Sequence, residues 1–457
     1  MNNYRIEEDS IGKREIPVDA YYGVQSLRAS ENFKITGRTV HPEFITGIAQ
    51  VKKAAAIANF EAGVIDKKIS DAMIQACEEI ISGKFIDNFI VDCIQGGAGT
   101  SLNMNANEVI ANRAIEILGK TKGDYSIVHP NDHVNCGQST NDAYPTAGKI
   151  ATIRLLEKNI EQLHILHSAF IKKADEFKDI LKMGRTEMQD AVPMSFGQVF
   201  NSFASAISRD IQRFEEAIKA LSVVNMGATA IGTGINASKE YIKIIVPCLA
   251  KVTSLPLSQA EDLVDATQNL DSFIFVSGIL KTCASNLSKI SNDLRLMSSG
   301  PRAGFGEINL PSKQNGSSIM PGKVNPVIPE VVSQIAFNII GNDTTITLAA
   351  ESGQLELNAF EPIIFHCLFD SLETLCNGIR TLTHECVEGI TVNEEKCKND
   401  VERNVGISTA LCPYIGYKES ARIAKRALKE NKSVREILEE EKIIDNIDDI
   451  LNPRNMI

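Results

Sequence analysis

Apolar residues along the middle of the chain recur at steps of three and four over long distances. Ile153, Leu156, Ile160, Leu163, Leu166, Phe170, Ala174, Phe177 and Leu181 form one such stripe. Phe196, Phe200, Phe203, Ile207, Ile211, Phe214, Ile218 and Leu221 form a second. A third runs from Phe273 through Val276, Leu280, Cys283, Leu287, Ile290 and Leu294 to Met297, and stops before Gly300, the residue type that ends helices in a left-handed turn. A fourth follows Ile364, Leu368, Leu372, Leu375, Ile379, Leu382 and Cys386. Each is the stripe of an amphipathic helix with one face in a core. Helices of about 28 residues are some 40 Å long, far above the usual globular length, and predict a long bundle. Leu155, Ile165, Ile171, Ile274, Phe275 and Ile279 lie off these stripes and predict a second packed face, as when bundles associate between subunits. A large single-chain helical domain is the alternative. Before about residue 140 and after about 392 the elements shorten and become more polar. The expected organisation is therefore all-α, with domains over 1–140, 141–392 and 393–457.

Composition removes several classes of function. Apolar residues make up 43% and charged residues 23%, so the chain has the material for a large core and is not intrinsically disordered. With 47 basic against 58 acidic side chains the net charge is −11, and the average field repels nucleic acid and anionic membranes. No run of 18 apolar residues occurs, and the opening MNNYRIEEDS carries charge where a signal peptide needs an apolar stretch. A cytoplasmic location is expected. Ten cysteines are scattered without a C-x-x-C pair, which predicts reduced thiols rather than a disulfide framework or a zinc site.

The candidate chemistry lies between the long stripes, in four segments rich in small, hydroxylic and amide residues. They are QGGAGTSLNMNANE (Gln95–Glu108), HPNDHVNCGQSTNDAYPT (His129–Thr146), GRTEMQDAVP (Gly184–Pro193) and GSSIMPGKVNPVIPE (Gly316–Glu330). In the last, Asn325-Pro326 reads as an N-cap followed by proline at the first helical position. Free N–H groups at that helix end, with Lys323, would form a carboxylate or phosphate receptor. The bland alternative is a glycine-rich loop before a helix. His129 and His133 are spaced i, i+4, but Pro130 between them predicts a loop rather than a helical metal pair, and no metal site is expected.

Taken together, these blocks resemble the aspartase/fumarase superfamily. GSSIMPGKVNP is similar to its signature, and QGGAGTSLNMNANEV, QSTNDAYPT, GRT-x-x-QDAVP and IGNDTTITLAAESGQLELN resemble other family blocks in the same order. The opening RIEEDSIGKREIPVDAYYGVQSLRASENF fits as well, so the similarity covers essentially the whole chain and lies nearest the ammonia-lyase branch. The resemblance implies a three-domain helical subunit whose central helices form a homotetramer, with active sites shared between subunits. It implies reversible anti elimination of ammonia from L-aspartate to give fumarate and ammonium, with no cofactor.

Such a reaction explains the residue types. Removing a proton beside a carboxylate creates a dianionic enediolate, which needs neutral donors aimed where charge develops, each worth about 3 kcal/mol. Thr100, Ser139, Thr140 and Ser318 supply hydroxyls, and Asn141 an amide for the amino end. The family pattern makes Ser317 the base; without it, Ser317 reads as a turn residue. Lys323 and Asn325 would hold the α-carboxylate, and Glu330 would support them from behind. Thr186 is followed by Glu187, where fumarases and some aspartases have histidine. That departure weakens one enzyme alternative, a class II fumarate hydratase, because the histidine helps to activate water there; a related amino-acid lyase acting on an altered substrate is the other. Glu187 would either pair with the substrate ammonium or fix its own loop through a basic neighbour. A catalytically silent structural homologue is the alternative outside enzymes.

Overall fold

The computed structural model describes residues 4–456. A hairpin, β1 (Tyr4–Asp9) and β2 (Gly12–Pro17), precedes α1 (Val24–Asn32), α2 (Pro42–Glu61), α3 (Lys67–Ile81), α4 (Thr100–Ile117) and α5 (Thr140–Glu176). A second hairpin, β3 (Leu181–Thr186) and β4 (Gln189–Ser195), leads into α6 (Phe196–Leu221). Then come β5 (Val223–Val224), α7 (Lys239–Thr253), β6 (Ser258–Gln259), α8 (Asp265–Gln268) and α9 (Asp271–Met297). After β7 (Ile308–Asn309) follow α10 (Val327–Glu351), α11 (Glu361–Glu385) and β8 (Thr391–Val392). The chain closes with α12 (Glu394–Arg403), α13 (Cys412–Glu430), α14 (Val434–Glu441) and α15 (Ile447–Ile450). Every sheet among the described residues has only two strands, so helices carry the fold, as the stripes predict.

The second stripe becomes α6 with the same end residues, and the third and fourth become α9 and α11. The first is α5, which begins at Thr140 and stops at Glu176, leaving Leu181 to open β3. A fifth long helix, α10, does not stand out in the sequence, because apolar residues point outward from it as well as inward.

The described chain packs as two compact units. One gathers the residues up to Ile160 with Gln212–Thr282 and Phe337–Leu375; the other gathers Glu161–Ile211, Cys283–Ala336 and the residues from Cys376 onward. The first unit is centred on an aromatic cluster in which Phe44 lies 4.8 Å from Tyr144 and 5.1 Å from Phe365, and Phe273 lies 5.0 Å from Phe365. Tilted and edge-on pairs of this kind add about 0.5–1.5 kcal/mol each beyond the area they bury. The second unit has Phe170 5.6 Å from Phe203 and Phe177 5.8 Å from Phe200, and a separate C-terminal cluster around Leu411, Ile423, Ile437 and Leu438.

Not all apolar surface is covered. In the first unit Phe337 is 65% and Leu348 57% exposed, and Phe275 and Ile171, both off the main stripes, are also exposed in their respective units. None of the ten cysteines is paired in a disulfide. No helix among the described residues is long and apolar enough to cross a membrane.

Candidate active site

In the first unit the candidate residues gather at the start of α5. Ser139 caps the helix: its Oγ accepts from Asn141 N at 3.2 Å, and Asp142 Oδ1 returns the bond by accepting from Ser139 N at 2.9 Å. The other carboxylate oxygen of Asp142 accepts from Gly227 N at 3.2 Å and Thr229 N at 2.9 Å, tying the cap to the segment after β5. Pro145 sits inside α5 and has no N–H for the carbonyl of Asn141. Asn225 Nδ2 takes over that acceptor at 3.0 Å, while Asn141 Nδ2 donates to Ala230 O at 2.7 Å. With its amide nitrogen held there, Asn141 keeps its Oδ1 for another donor.

The glycine run before α4 sets the neighbouring edge. Gly97, Ala98 and Gly99 all have positive φ, at 84°, 55° and 88°. At Gly99 a side chain is excluded twice, by this conformation and because a Cβ would lie 2.4 Å from the ring of Tyr144 on α5. The close approach lets the first turn of α4 reach α5: Thr100 is the first residue of α4, and Asn103, one turn on, donates to Thr140 Oγ1 at 3.1 Å. The nearby segment Pro130–Val134 is a turn of π-helix rather than the loop expected. In it His133 Nδ1 accepts from His129 N at 2.8 Å, and His129 Nδ1 from the N–H groups of Asn131 and Asp132. Among the described residues no cluster of three or more His, Cys, Asp or Glu is placed to hold a metal ion.

Thr186, Glu187, Ser317, Ser318, Lys323 and Asn325 belong to the second unit. The segment Gly184–Pro193 is most of a β-hairpin whose two-residue turn is Glu187–Met188. Both turn residues are left-handed, φ 52° and 67°, as the twist of a tight hairpin requires, although neither is Gly or Asn. The side chain of Glu187 is exposed and makes no hydrogen bond or ion pair with the described residues. Behind the tip, a bulge between Met183 and Arg185 brings Lys182 and Arg185 to the same partner, buried Glu307, at 3.1 and 2.7 Å.

The fourth segment is an irregular loop closed at its neck. Gly316 N donates to Lys323 O at 2.7 Å and Asn325 Nδ2 to Gly316 O at 2.9 Å. A Cβ on Gly316 would sit 2.8 Å from Asn325 N, so this closure needs glycine. Asn325 is therefore not the helix cap that Asn-Pro suggests: α10 begins at Val327, and one hydrogen of the Asn325 NH2 closes the loop, leaving the second for another acceptor. Within the loop Ser317 Oγ accepts from Ile319 N at 3.2 Å and Met320 N at 2.9 Å. Two N–H dipoles aimed at one hydroxyl oxygen favour negative charge on it. Ser318 and Lys323 are exposed, and Glu330 lies 4.0 Å from Arg295.

Several residues that shape these surfaces do not stand out in the sequence. Asp142 is wholly buried, which pushes its carboxyl up to about 6. Lys52 of α2 is equally buried, and desolvation brings its ammonium down to about 7, with the Asp142 charge pulling the other way. The one trace of Lys52 in the sequence is its place in register with Ile45, Ile48 and Ala55, where an apolar residue is expected.

The fold and these surfaces can be set against known proteins. A family profile described as Lyase matches residues 12–341, and one described as Fumarase C C-terminus matches residues 407–457. The chain belongs to this lyase family. At finer grain it is 53% identical over 454 residues to an aspartate ammonia-lyase from a Bacillus species, covering 99% of this chain and 97% of that protein. Among solved structures, a fumarate lyase:delta crystallin from Brucella melitensis bound to cobalt matches with a TM-score of 0.97 at 47% identity, covering 99% of both chains. A recombinant class II fumarase from Schistosoma mansoni matches at 0.96 and 36% identity, again over 99% of both. The superfamily resemblance carried by the motifs thus extends over the whole chain.

Proposed function

We propose that the chain catalyses the reversible elimination of ammonia from L-aspartate to give fumarate, with Ser317 as the base. The observation that carries the assignment of the base is the pair of N–H groups, Ile319 and Met320, directed at Ser317 Oγ. They make an alkoxide accessible where water would not. The alkoxide takes a proton from C3 of aspartate, the electron pair of that C–H bond enters the neighbouring carboxylate, and an enediolate dianion forms. Hydroxyls of Thr100, Ser139, Thr140 and Ser318 meet the new charge. The dianion then collapses, the C–N bond breaks, and the amine leaves with its pair to give the double bond. Lys323 and Asn325 hold the α-carboxylate, and Asn141 Oδ1 with Thr186 faces the amine.

Glu187 recognises the substrate ammonium in this reading. An exposed carboxylate with no partner of its own supports that role over the alternative of fixing the loop. A hydratase reading draws on the likeness to the Schistosoma fumarase, but the identity to the Bacillus ammonia-lyase is higher, 53% against 36%, and Glu187 stands where hydratases use histidine. The uncovered apolar residues, Phe337 and Leu348 foremost, support association of subunits; that the assembly is a homotetramer of three-domain subunits with shared active sites is what the superfamily resemblance implies. A cytoplasmic location completes the proposal. The test is the ultraviolet absorbance of fumarate on offering L-aspartate and L-malate in turn. Growth of the signal with aspartate alone is expected; turnover of malate alone would overturn the assignment.

A further inference from the structure

Lys52 takes no part in the chemistry above, yet it determines the polarity of a chain of side chains that ends in the candidate site. Its ammonium donates to Asn135 Oδ1 and Gln138 Oε1, each at 2.9 Å. Charged or neutral, the Lys52 nitrogen has hydrogens enough for both bonds, and each amide turns its oxygen towards it. Asn135 Oδ1 also receives Asn103 Nδ2 at 3.1 Å and Asn107 Nδ2 at 3.2 Å. Asn103 must therefore face Asn135 with its NH2, because two amide oxygens in contact repel. The second hydrogen of that NH2 goes to Thr140 Oγ1 at 3.1 Å. The Thr140 oxygen is thereby made an acceptor towards Asn103, and its own hydrogen is left to point elsewhere.

The orientation of Asn103 is imposed on it. Its Oδ1 has no hydrogen-bond partner among the described residues although the residue is 1% exposed. Buried carbonyl groups without partners are uncommon, and this one persists because Lys52 and Asn135 dictate which way the amide faces.

We infer that Asn103 is a positioning residue whose polarity, set by Lys52 through Asn135, holds the Thr140 hydroxyl as a donor towards the enediolate. The inference rests on Thr140 being one of the donors in the proposed reaction. A double-mutant cycle separates the two. Thr140→Val should lower kcat/KM about 10²- to 10³-fold, as loss of one such donor does. Asn103→Ala should lower it about tenfold to a hundredfold through misplacement, and should add almost nothing once Thr140→Val is present. Equal losses from Asn103→Ala in both backgrounds, or no loss in either, would overturn the inference while leaving the reaction intact. Wild-type activity in Thr140→Val would overturn the role of Thr140 and the inference with it. Assembly and melting temperature are measured for each variant; if Asn103→Ala does not assemble, the same cycle with Asn103→Ser, which refills part of the space, decides the matter by the same criteria.

Discussion

The start of α5 and the loop Gly316–Asn325 carry candidate chemistry on opposite kinds of support. At the helix start Thr140 is 9% exposed, Ser139 is bonded through both N and Oγ, and the Asn141 carbonyl and amide each have a partner. The loop is tied at its neck and by the turn at Ser317, and Ile319 at its crown is 84% exposed. The contrast fits what each part does in the proposed reaction. Stabilising a charge that appears only in the transition state needs dipoles fixed beforehand, and helix ends buried in a core supply them. A base has to approach a substrate that comes and goes, which suits a segment with few buried contacts.

The contrast can be broken most severely at the loop. Ser317→Ala would remove the proposed base and leave the rest of the site standing, so kcat should fall roughly 10²- to 10⁴-fold with little change in KM. Steady-state turnover near the wild-type level would move the chemistry away from the loop. Next in size are two charge removals that separate the ends of the substrate. Lys323→Ala should weaken aspartate and fumarate alike, because the α-carboxylate is present throughout. Glu187→Ala should raise KM for aspartate about 10- to 150-fold, the value of a charge-assisted bond of about 1.5–3 kcal/mol, with kcat within a few fold. Inhibition by succinate, which lacks the amine, should be unchanged in Glu187→Ala; equal weakening of both ligands would show that Glu187 only shapes its hairpin.

The smallest effect sharpens the account of the helix start. Asp142 ionises at about 6 rather than its ordinary 3.8, because it is buried. Its ionised form accepts the three N–H bonds that hold the cap, so kcat/KM should fall as pH drops through about 6, and Asp142→Asn should flatten that limb at a lower plateau. For stability the sign is reversed. The folded state favours the protonated form, so this group's contribution is fully present below 3.8 and is lost as pH rises through about 6. Rates and melting temperatures measured over the same pH range should therefore move in opposite directions, and parallel movement would remove Asp142 from the account.

Four of the five long helices were legible as stripes because each has a polar face to set the period. In α10 that contrast fails: Phe337, Ile340 and Leu348 are apolar and point outward. The hairpin β3–β4 was hidden by its bulge at Gly184 and by a turn, Glu187–Met188, that lacks the usual Asn-Gly chemistry. The segments holding candidate residues were legible from their small and hydroxylic composition. What supports them was not: Asp142, Asn103 and Asn135 lie inside those segments, but their supporting roles come from contacts across the fold, and Lys52, outside them, is marked only as a polar break in an apolar stripe.

The central claim is that a base on the loop and donors at the helix start work on one substrate by anti elimination, and the reverse reaction in D₂O tests it most directly. Fumarate and ammonium offered to the protein should give aspartate carrying a single deuterium at C3, on the face opposite the new amine, as read from the proton coupling constants. Ser317→Ala should form almost none of this product in the same time. Deuterium on the same face as the amine, or an equal mixture of the two, would contradict the account.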